Sequence, residues 1–358
     1  MISINSYVVN RILGYISLNL KIKLEKFQYN ALHPEIKSHT WQQELELTQK
    51  TRIIVISGPT GIGKTELSIS LAEVFGGEIV GADSMQIYRH MDIGTAKPGP
   101  DERGRVPHHL IDVADPDEAY DAARYMREAR AAVDDIKSRG RLPVVVGGTG
   151  FYIKALLYGL FDAKPEDVRV RNRLWQEAHA LGGGAMHERL AACDPETARR
   201  IHPNDTYRVI RALEVFELTG TPVSAFRAVH RFSDAPYCPL KFALCMDRGK
   251  LYRRINARVD QMIAQGIIEE VRGLLQMGYD KNARAMQALG YRHILGYLEG
   301  EADWQTAVET LKRDTRRYAK RQLTWFRKDM ETIWVRPDQQ AEITERIRAF
   351  LFPKLSDF

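Results

Sequence analysis

The most chemically informative residues of this chain form a glycine-rich segment. It matches the pattern of a phosphate-binding P-loop without a mismatch and consists of Gly58, Pro59, Thr60, Gly61, Ile62, Gly63, Lys64 and Thr65. In this pattern backbone N–H groups surround the phosphates, the lysine contacts their outer oxygens, and the threonine hydroxyl binds Mg²⁺. We therefore expect a phosphorylated ligand. The chemistry stays open at this point, because kinases, hydrolases and some transferases share the motif.

Polar residues also follow two other predicted strands. Asp83 comes directly after the apolar run 78–82, and Gly147-Gly148-Thr149 ends the run that begins at Leu142. An aspartate at the carboxyl end of a strand can act as a general base or bind Mg²⁺, but it can also cap a helix. The glycines can supply N–H groups to an anion or form only a tight turn. Since the P-loop is expected at the same edge of the sheet, we favour the functional interpretation of Asp83.

Basic residues supply two further candidate sites for anions. Arg254 and Arg258 are one helical turn apart, so both can reach a diphosphate at the edge of the sheet. In the predicted helix 303–326, one basic stripe without an interposed acid is formed by Arg313, Arg316, Arg317, Lys320 and Arg321. Such a stripe is usually a solvated helix face, yet it is also typical of a surface that binds a phosphodiester backbone.

The elements that must position these residues alternate between strand and helix. An apolar, β-branched segment at 52–57 precedes the P-loop, and a helical segment at 66–75 follows it. Repeated βα units predict an α/β fold with a P-loop type, doubly wound parallel sheet, a helical insertion domain and C-terminal helices. The predicted domains are a loosely ordered extension at 1–50, a core at 51–163 and 235–335, the insertion at 164–234, and a C-terminal tail at 336–358.

Composition narrows the class of protein. The chain has 358 residues and a mild net charge of +6, and it contains no apolar run long enough to cross a bilayer. Its three cysteines form no CxxC pair, which argues against disulfides or a zinc finger. Adjacent His108 and His109 lack further ligands at suitable spacing, so we do not predict a zinc site. We expect a cytoplasmic monomer with reduced thiols.

Longer segments of the sequence resemble one family. The resemblance is most specific in Asp83–Pro98, and it includes Val106–Asp112, Gly147–Thr149, Tyr207–Val215, Gln287–Arg292 and Lys320–Trp325. These segments are similar to the tRNA dimethylallyltransferases, the isopentenyl-tRNA transferase family, in its bacterial type. The likeness runs from about residue 53 to residue 334. It implies that a dimethylallyl group passes from dimethylallyl diphosphate to N6 of adenine 37, next to the tRNA anticodon, with release of diphosphate and with Mg²⁺ as cofactor.

The resemblance also implies roles for individual residues. The P-loop would hold the prenyl diphosphate, Asp83 would accept the proton of the attacking amine, and Thr149, Lys64 and Arg258 would contact the diphosphate. An arginine at Arg169 or Arg171 would contact tRNA. The remaining residues expected to contact tRNA are Asp83, Ser84, Met85, Gln86, Thr149, Tyr207, Arg208, Val209, Ile210, Arg211, Gln287, Ala288, Leu289, Gly290, Tyr291 and Arg292.

Other functions remain open from the sequence alone. The P-loop by itself favours a small-molecule kinase that consumes ATP. An adenylate isopentenyltransferase would use the same donor but free AMP or ADP as acceptor; the plant enzymes of this type lack the Asp-Ser-x-Gln and Gly-Tyr-Arg forms present here. A binding module without catalysis is a further alternative. A GTPase is disfavoured because no Asn-Lys-x-Asp motif occurs.

Overall fold

Six parallel strands form one sheet in the residues that the computed structural model describes, which are 50–160, 167–230 and 234–353. The strands are β1 (Thr51–Ser57), β2 (Gly77–Gly81), β3 (His108–His109), β4 (Leu142–Gly147), β5 (Tyr237–Leu244) and β6 (Ile333–Val335). Their order across the sheet is β3-β2-β4-β1-β5-β6, and each neighbouring pair is parallel. The predicted parallel α/β fold is thereby confirmed. The predicted extension 1–50 lies outside the described residues apart from Lys50.

The central strand β1 shows why its sequence is a continuous apolar run. Ile53 and Val55 pack in a hydrophobic cluster on one face of the sheet, whereas Ile54 and Ile56 pack in a second cluster on the other face. All four side chains are at most 2% exposed. A parallel sheet covered on both faces needs apolar side chains at consecutive positions, and each buried one contributes about 1.5–3 kcal/mol.

Helices cover both faces of the sheet and continue the chain beyond it. In order they are α1 (Lys64–Phe75), α2 (Pro100–Arg105), α3 (Ala122–Ser138), α4 (Gly150–Tyr158), α5 (Val168–Leu181), α6 (Gly183–Cys193), α7 (Pro195–Arg200), α8 (Thr206–Thr219), α9 (Val223–His230), α10 (Arg248–Ala264), α11 (Ile267–Gln276), α12 (Tyr291–Leu298), α13 (Trp304–Phe326) and α14 (Gln340–Leu351). Within the described ranges, none of the helices has both the length and the apolarity that crossing a membrane requires.

The helices α5–α9 pack around a hydrophobic cluster of their own. Leu174, Leu190 and Val209 are fully buried in this cluster, which is separate from the two clusters of the sheet. The buried Asp194 carboxylate joins two of the helices, because it accepts hydrogen bonds from the N–H groups of Thr197 and Ser224, each at 3.0 Å. The boundaries of the insertion at 164–234 stay a prediction, since residues 161–166 and 231–233 lie outside the described ranges.

The C-terminal segment packs against the sheet. Strand β6 extends the sheet beside β5, and helix α14 buries Ile343 and Ile347 in the same cluster as Ile54. The guanidinium of Arg52, at the start of β1, donates a hydrogen bond to the Leu351 carbonyl at 2.8 Å. The division of the chain at residue 336 stays a prediction; within the predicted tail, residues 340–351 form a helix that packs on one face of the sheet.

Candidate active site

Glycines shape the loop between β1 and α1. Gly58, Gly61 and Gly63 have φ values of 150°, 76° and 101°, a region of backbone conformation that other residues rarely adopt. Between them the Ile62 side chain is 1% exposed and anchors the loop in the core. The loop therefore needs glycine at these three positions, and it leads directly into the N-terminus of α1, which favours an anion.

A cavity of about 1090 Å³ lies beside this loop. It is large for a small-molecule site, since such sites span roughly 300–1,000 Å³. Its lining brings together many of the residues that the sequence singles out, namely Thr60, Gly61, Gly63, Lys64, Thr65, Asp83, Ser84, Met85, Gln86, Arg254, Arg258, Ala288, Leu289 and Gly290. The cavity is therefore at the upper end of the range for a ligand site, and it lies where the predicted residues meet.

Asp83 holds the turn that follows β2. One of its carboxylate oxygens accepts the N–H of Met85 at 2.9 Å, and no described residue donates a hydrogen bond to the other oxygen. The residues after Asp83 form turns, so the alternative of a helix cap is excluded. One oxygen of Asp83 thus stabilises the turn, and the other is available to a ligand in the cavity.

Thr149 joins the ends of β2 and β4. Its hydroxyl oxygen accepts the Ser84 N–H at 3.0 Å, and its own N–H donates to the Ala82 carbonyl at 3.1 Å. A side chain at Gly147 would place its Cβ 2.0 Å from the same Ala82 carbonyl oxygen, so only glycine permits this approach. These contacts fix the turn of Asp83 against the loop that carries Thr149.

Two cationic side chains, Lys64 and Arg258, interact with the Asp83 carboxylate. Burial lowers the pKa of Lys64 to about 8; Asp83 acts against this shift, whereas Arg258 adds to it. Burial also lowers the pKa of Arg258, again opposed by Asp83. The Lys64 ammonium donates to the carbonyls of Gly58 and Pro59 at 3.0 and 2.9 Å. Two cations beside one carboxylate leave an excess positive charge, which suits an anionic ligand.

The two predicted arginines of α10 have different contacts. Arg254 Nε donates to the Gly61 carbonyl at 2.9 Å, so this side chain braces the P-loop. Arg258 Nη2 donates to the Thr95 carbonyl at 3.2 Å. Its Nε is buried, and no described residue accepts a hydrogen bond from it. Because an unpaired buried donor is costly, the Arg258 guanidinium is positioned to bind a further acceptor in the cavity.

Gln322 on α13 was not identified as a site residue from the sequence. Its side-chain oxygen accepts the Thr60 N–H of the P-loop at 2.9 Å, and its amide nitrogen donates to the Gly148 carbonyl at 2.9 Å. Gln322 is 6% exposed, and a Cβ at Gly148 would lie 2.3 Å from its nitrogen. One side chain thus fixes the distance between the phosphate loop and the loop that carries Thr149.

Tyr318, one turn before Gln322, also lines the cavity. Burial raises its pKa, and the nearby Asp83 carboxylate raises it further, while hydrogen bonds with Thr149 and Gln322 act in the opposite direction. The phenol is therefore protonated at neutral pH and contacts the groups that hold the site together. The helical spacing of the sequence gives no signal of this role.

The predicted basic stripe of α13 is interrupted by an acid. Asp314 binds Arg313 at 3.0 Å and Arg317 at 3.4 Å, and it also contacts Arg292 at 3.3 Å. Burial alone would raise the pKa of Asp314, but hydrogen bonds from Arg313 and His293 lower it to about 2. Arg316 donates to Asn256 at 2.7 Å. The prediction of a stripe without an acid was wrong, because Asp314 neutralises its N-terminal part.

Several residues expected to contact tRNA have buried side chains. Val209 and Ile210 are at most 1% exposed in the cluster of α5–α9, and Tyr291 is fully buried, with its hydroxyl donating to Glu270 at 2.7 Å. Their side chains cannot reach a macromolecule in this structure. Contact of these three residues with tRNA stays a prediction, and in this structure their side chains pack the elements that carry their neighbours. Gln287 is exposed, and its amide nitrogen donates to the Lys281 carbonyl at 2.8 Å.

The arginines of the helical segment separate into two kinds. Arg171 and Arg211 bind the fully buried Glu214 carboxylate at 3.0 and 2.7 Å. Both arginines therefore have a structural role, since they neutralise a buried charge. By contrast the side chain of Arg169 is 93% exposed and that of Arg208 is 67% exposed. Tyr207 beside Arg208 is 53% exposed. Of the alternatives Arg169 and Arg171, the structure favours Arg169 for contact with a partner.

Comparison of the sequence with known proteins identifies a single family. The family model described as IPP transferase matches residues 86–329. The chain is 58% identical over 286 residues to the tRNA dimethylallyltransferase of Desulfosudis oleivorans, a match that covers 80% of this chain and 91% of the relative. It is 52% identical over 286 residues to the tRNA dimethylallyltransferase of Geobacter sulfurreducens, covering 80% of this chain and 92% of that protein.

Solved structures similar to this chain are of transferases of the same kind. The fold is similar to the tRNA isopentenylpyrophosphate transferase of Bacillus halodurans, with a TM-score of 0.64 and 40% identity over 84% of this chain and 97% of that one. It is also similar to a eukaryotic dimethylallyltransferase described as acting on tRNA, with a TM-score of 0.70 and 30% identity over 84% of this chain and 78% of the other.

Proposed function

The chain belongs to the IPP transferase family, and we propose that it transfers a dimethylallyl group from dimethylallyl diphosphate to N6 of the adenine next to the tRNA anticodon. One observation carries the proposal. A single cavity is lined by the P-loop lysine, by Arg258 of α10 and by the segment 83–86, whose first residue is a carboxylate. A donor with an anionic leaving group and an acceptor that must lose a proton therefore fit side by side. We further propose that the protein acts as a monomer in the cytoplasm.

The cationic side of the cavity supports the choice of donor. In the transfer, the bond between the allylic carbon and the diphosphate oxygen breaks, and both electrons leave with the diphosphate. Negative charge therefore increases on the leaving group in the transition state. Lys64 and Arg258 lie where they would stabilise this charge, and the loop N–H groups at the start of α1 would do the same.

The Asp83 carboxylate in the same cavity supports the choice of acceptor. The N6 amine of adenine forms the new bond to carbon and must release one proton. Asp83 has a carboxylate oxygen to which no described residue donates, so it is the group that would take this proton. A base in a stacked anticodon loop must leave the stack to reach Asp83, and the volume of about 1090 Å³ accommodates it beside the donor.

The donor set also fits Mg²⁺, which usually binds through one or two protein oxygens together with substrate phosphates. Thr65 lines the cavity beside Lys64 and offers a hydroxyl oxygen. We propose Thr65 as the protein ligand of Mg²⁺, and the ion would neutralise part of the diphosphate charge when bound.

Labelled dimethylallyl diphosphate tests the proposed function. The protein should transfer the label to unmodified tRNA and leave AMP unlabelled, and nucleoside analysis should identify N6-dimethylallyladenosine. Label on AMP would instead establish an adenylate isopentenyltransferase. If neither acceptor is labelled while ATP is consumed, the protein is a kinase and the proposal is wrong.

Replacement of Gln322 by methionine should lower kcat by roughly 10- to 100-fold, because an error of about 1 Å between reacting groups can cost 10²-fold in rate. The substitution removes both the bond to Thr60 and the bond to Gly148 while it keeps the approximate volume. Steady-state kinetics with tRNA measure the effect. Gln305→Met on the exposed side of α13 is the matched control and should behave as the native protein. A kcat within twofold of native for Gln322→Met would show that the bridge is dispensable.

A further inference from the structure

Two exposed aromatic rings lie together near Gln322, which lines the cavity. Phe151, in the first turn of α4, is 44% exposed, and Trp325, in the last turn of α13, is 40% exposed. Their ring centroids are 6.4 Å apart, and the planes meet at 84°. Rings of this size normally lie in the core, so an exposed pair on two different helices needs an explanation beyond folding.

The pair is fixed against the backbone of the candidate active site. A Cβ at Gly150 would lie 2.1 Å from both Cδ1 and Nε1 of Trp325, so the indole lies directly on this glycine. Gly150 follows Thr149, whose hydroxyl binds Ser84. Along α13, Trp325 comes three residues after Gln322. The aromatic pair therefore borders the segment that carries the proposed acceptor side of the cavity.

The cationic side chains near Trp325 differ from Arg313 and Arg317 on the same helix in having no acidic partner among the described residues. In the described part of the chain, no ion pair involves any of four exposed cations, Lys320, Arg321, Arg327 and Lys328. Arg313 and Arg317, in the middle of the same helix, are paired with Asp314. Cations near a helix C-terminus complement its dipole, but this effect is confined to the last turn. It accounts for Arg327 and Lys328 and not for Lys320 and Arg321.

We propose that Phe151 and Trp325 form a stacking surface for a nucleobase of the tRNA anticodon loop, with the four cations binding the adjacent phosphates. This inference rests on the proposed function and names the part of the surface that holds the RNA. Extrusion of the target adenine exposes the faces of the bases beside it. Aromatic side chains replace the lost stacking, and unpaired cations match the charge of the backbone. An aromatic pair surrounded by cations is the composition that single-stranded RNA requires.

Substitution of Trp325 tests the stacking surface in the full-length protein. Trp325→Ala should raise the KM and Kd for tRNA roughly 5- to 150-fold, the range found for loss of one stacked base. The KM for dimethylallyl diphosphate should not change. Trp325→Phe should restore most of the affinity, and Phe151→Ala should weaken binding in the same direction. Met330→Ala, which removes a side chain that is 93% exposed and not aromatic, is the control.

Two further readouts separate stacking from a structural role. Binding of tRNA should quench part of the tryptophan fluorescence of the native protein, and this part should be missing in Trp325→Phe, which leaves four of the five tryptophans. Lys320→Gln combined with Lys328→Gln should reduce the slope of log K against log salt by about 2. Native protein that transfers the label to tRNA, together with an unchanged tRNA affinity in both Trp325→Ala and Phe151→Ala, would overturn the stacking surface alone. Native protein without transfer would overturn the proposed function instead.

Discussion

Replacement of Asp83 by alanine is expected to reduce kcat for tRNA modification by about 10²–10⁴-fold, the usual contribution of a positioned general base. The carboxylate lies in the cavity with Lys64 and Arg258 and has one oxygen to which no described residue donates. Without it, the amine proton has no acceptor in the site. The affinity for tRNA should change little, because Asp83 is only one of the many residues predicted to contact the RNA.

Asp83→Asn separates the two roles of this side chain. Its amide oxygen still accepts the Met85 N–H, so the turn after β2 is kept, but the amide is not a base. Single-turnover rates should therefore be low in both variants, and melting temperatures should be closer to native in Asp83→Asn. Full turnover in the asparagine variant would show that the carboxylate only supports the turn.

Replacement of Lys64 by methionine is expected to lower kcat/KM by about 10²–10³-fold, the cost of removing one group that stabilises developing charge. The effect should depend on pH. Burial lowers the pKa of Lys64 to about 8, so in the free native protein the ammonium is charged below that pH and neutral above it. The KM for dimethylallyl diphosphate should therefore rise as the pH increases through about 8.

This pH dependence should be absent from Lys64→Met, because methionine does not titrate. Lys137→Met, at an exposed position near the end of α3, is the matched control for loss of one lysine. Initial rates measured between pH 6 and pH 10, roughly two units on either side of the Lys64 pKa, decide the matter. The same rise of KM in native protein and in Lys64→Met would assign the titration to another group.

The sequence was sufficient to predict the parts of the site that lie next to strong local patterns. Lys64 follows the glycines of the P-loop, and Asp83 and Thr149 follow strands whose apolar runs are unmistakable. In a parallel sheet such strand ends meet at one edge, so these residues could be brought together without a structure. Arg258 was predicted because it lies one turn from Arg254 on a clear helix.

Gln322 and Tyr318 could not be found in this way. Gln322 binds Thr60, which is 262 residues away in the chain, and helical periodicity shows only that a residue lies on a given face. It does not show which loop that face meets. Likewise, membership of the segment Tyr207–Val215 did not distinguish Val209 and Ile210, which pack, from Tyr207, which is exposed.

The short strands and the C-terminal helix illustrate a different limit. Strand β3 has two residues and β6 has three, too few for alternation of apolar and polar residues to be recognised. Both form because neighbouring strands already present an edge. Helix α14 was assigned to a tail, although Ile343 and Ile347 are spaced to bury one face against the sheet.

The most direct test of the central claim is to locate the modification in the tRNA itself. Unmodified tRNA is incubated with the protein and dimethylallyl diphosphate, digested to fragments, and analysed by tandem mass spectrometry. We predict one added C₅H₈ group, on N6 of the adenine next to the anticodon, in the native protein and almost none in Asp83→Asn. Modification at another nucleotide, or an anticodon-loop fragment that stays unmodified with the native protein, would contradict the account.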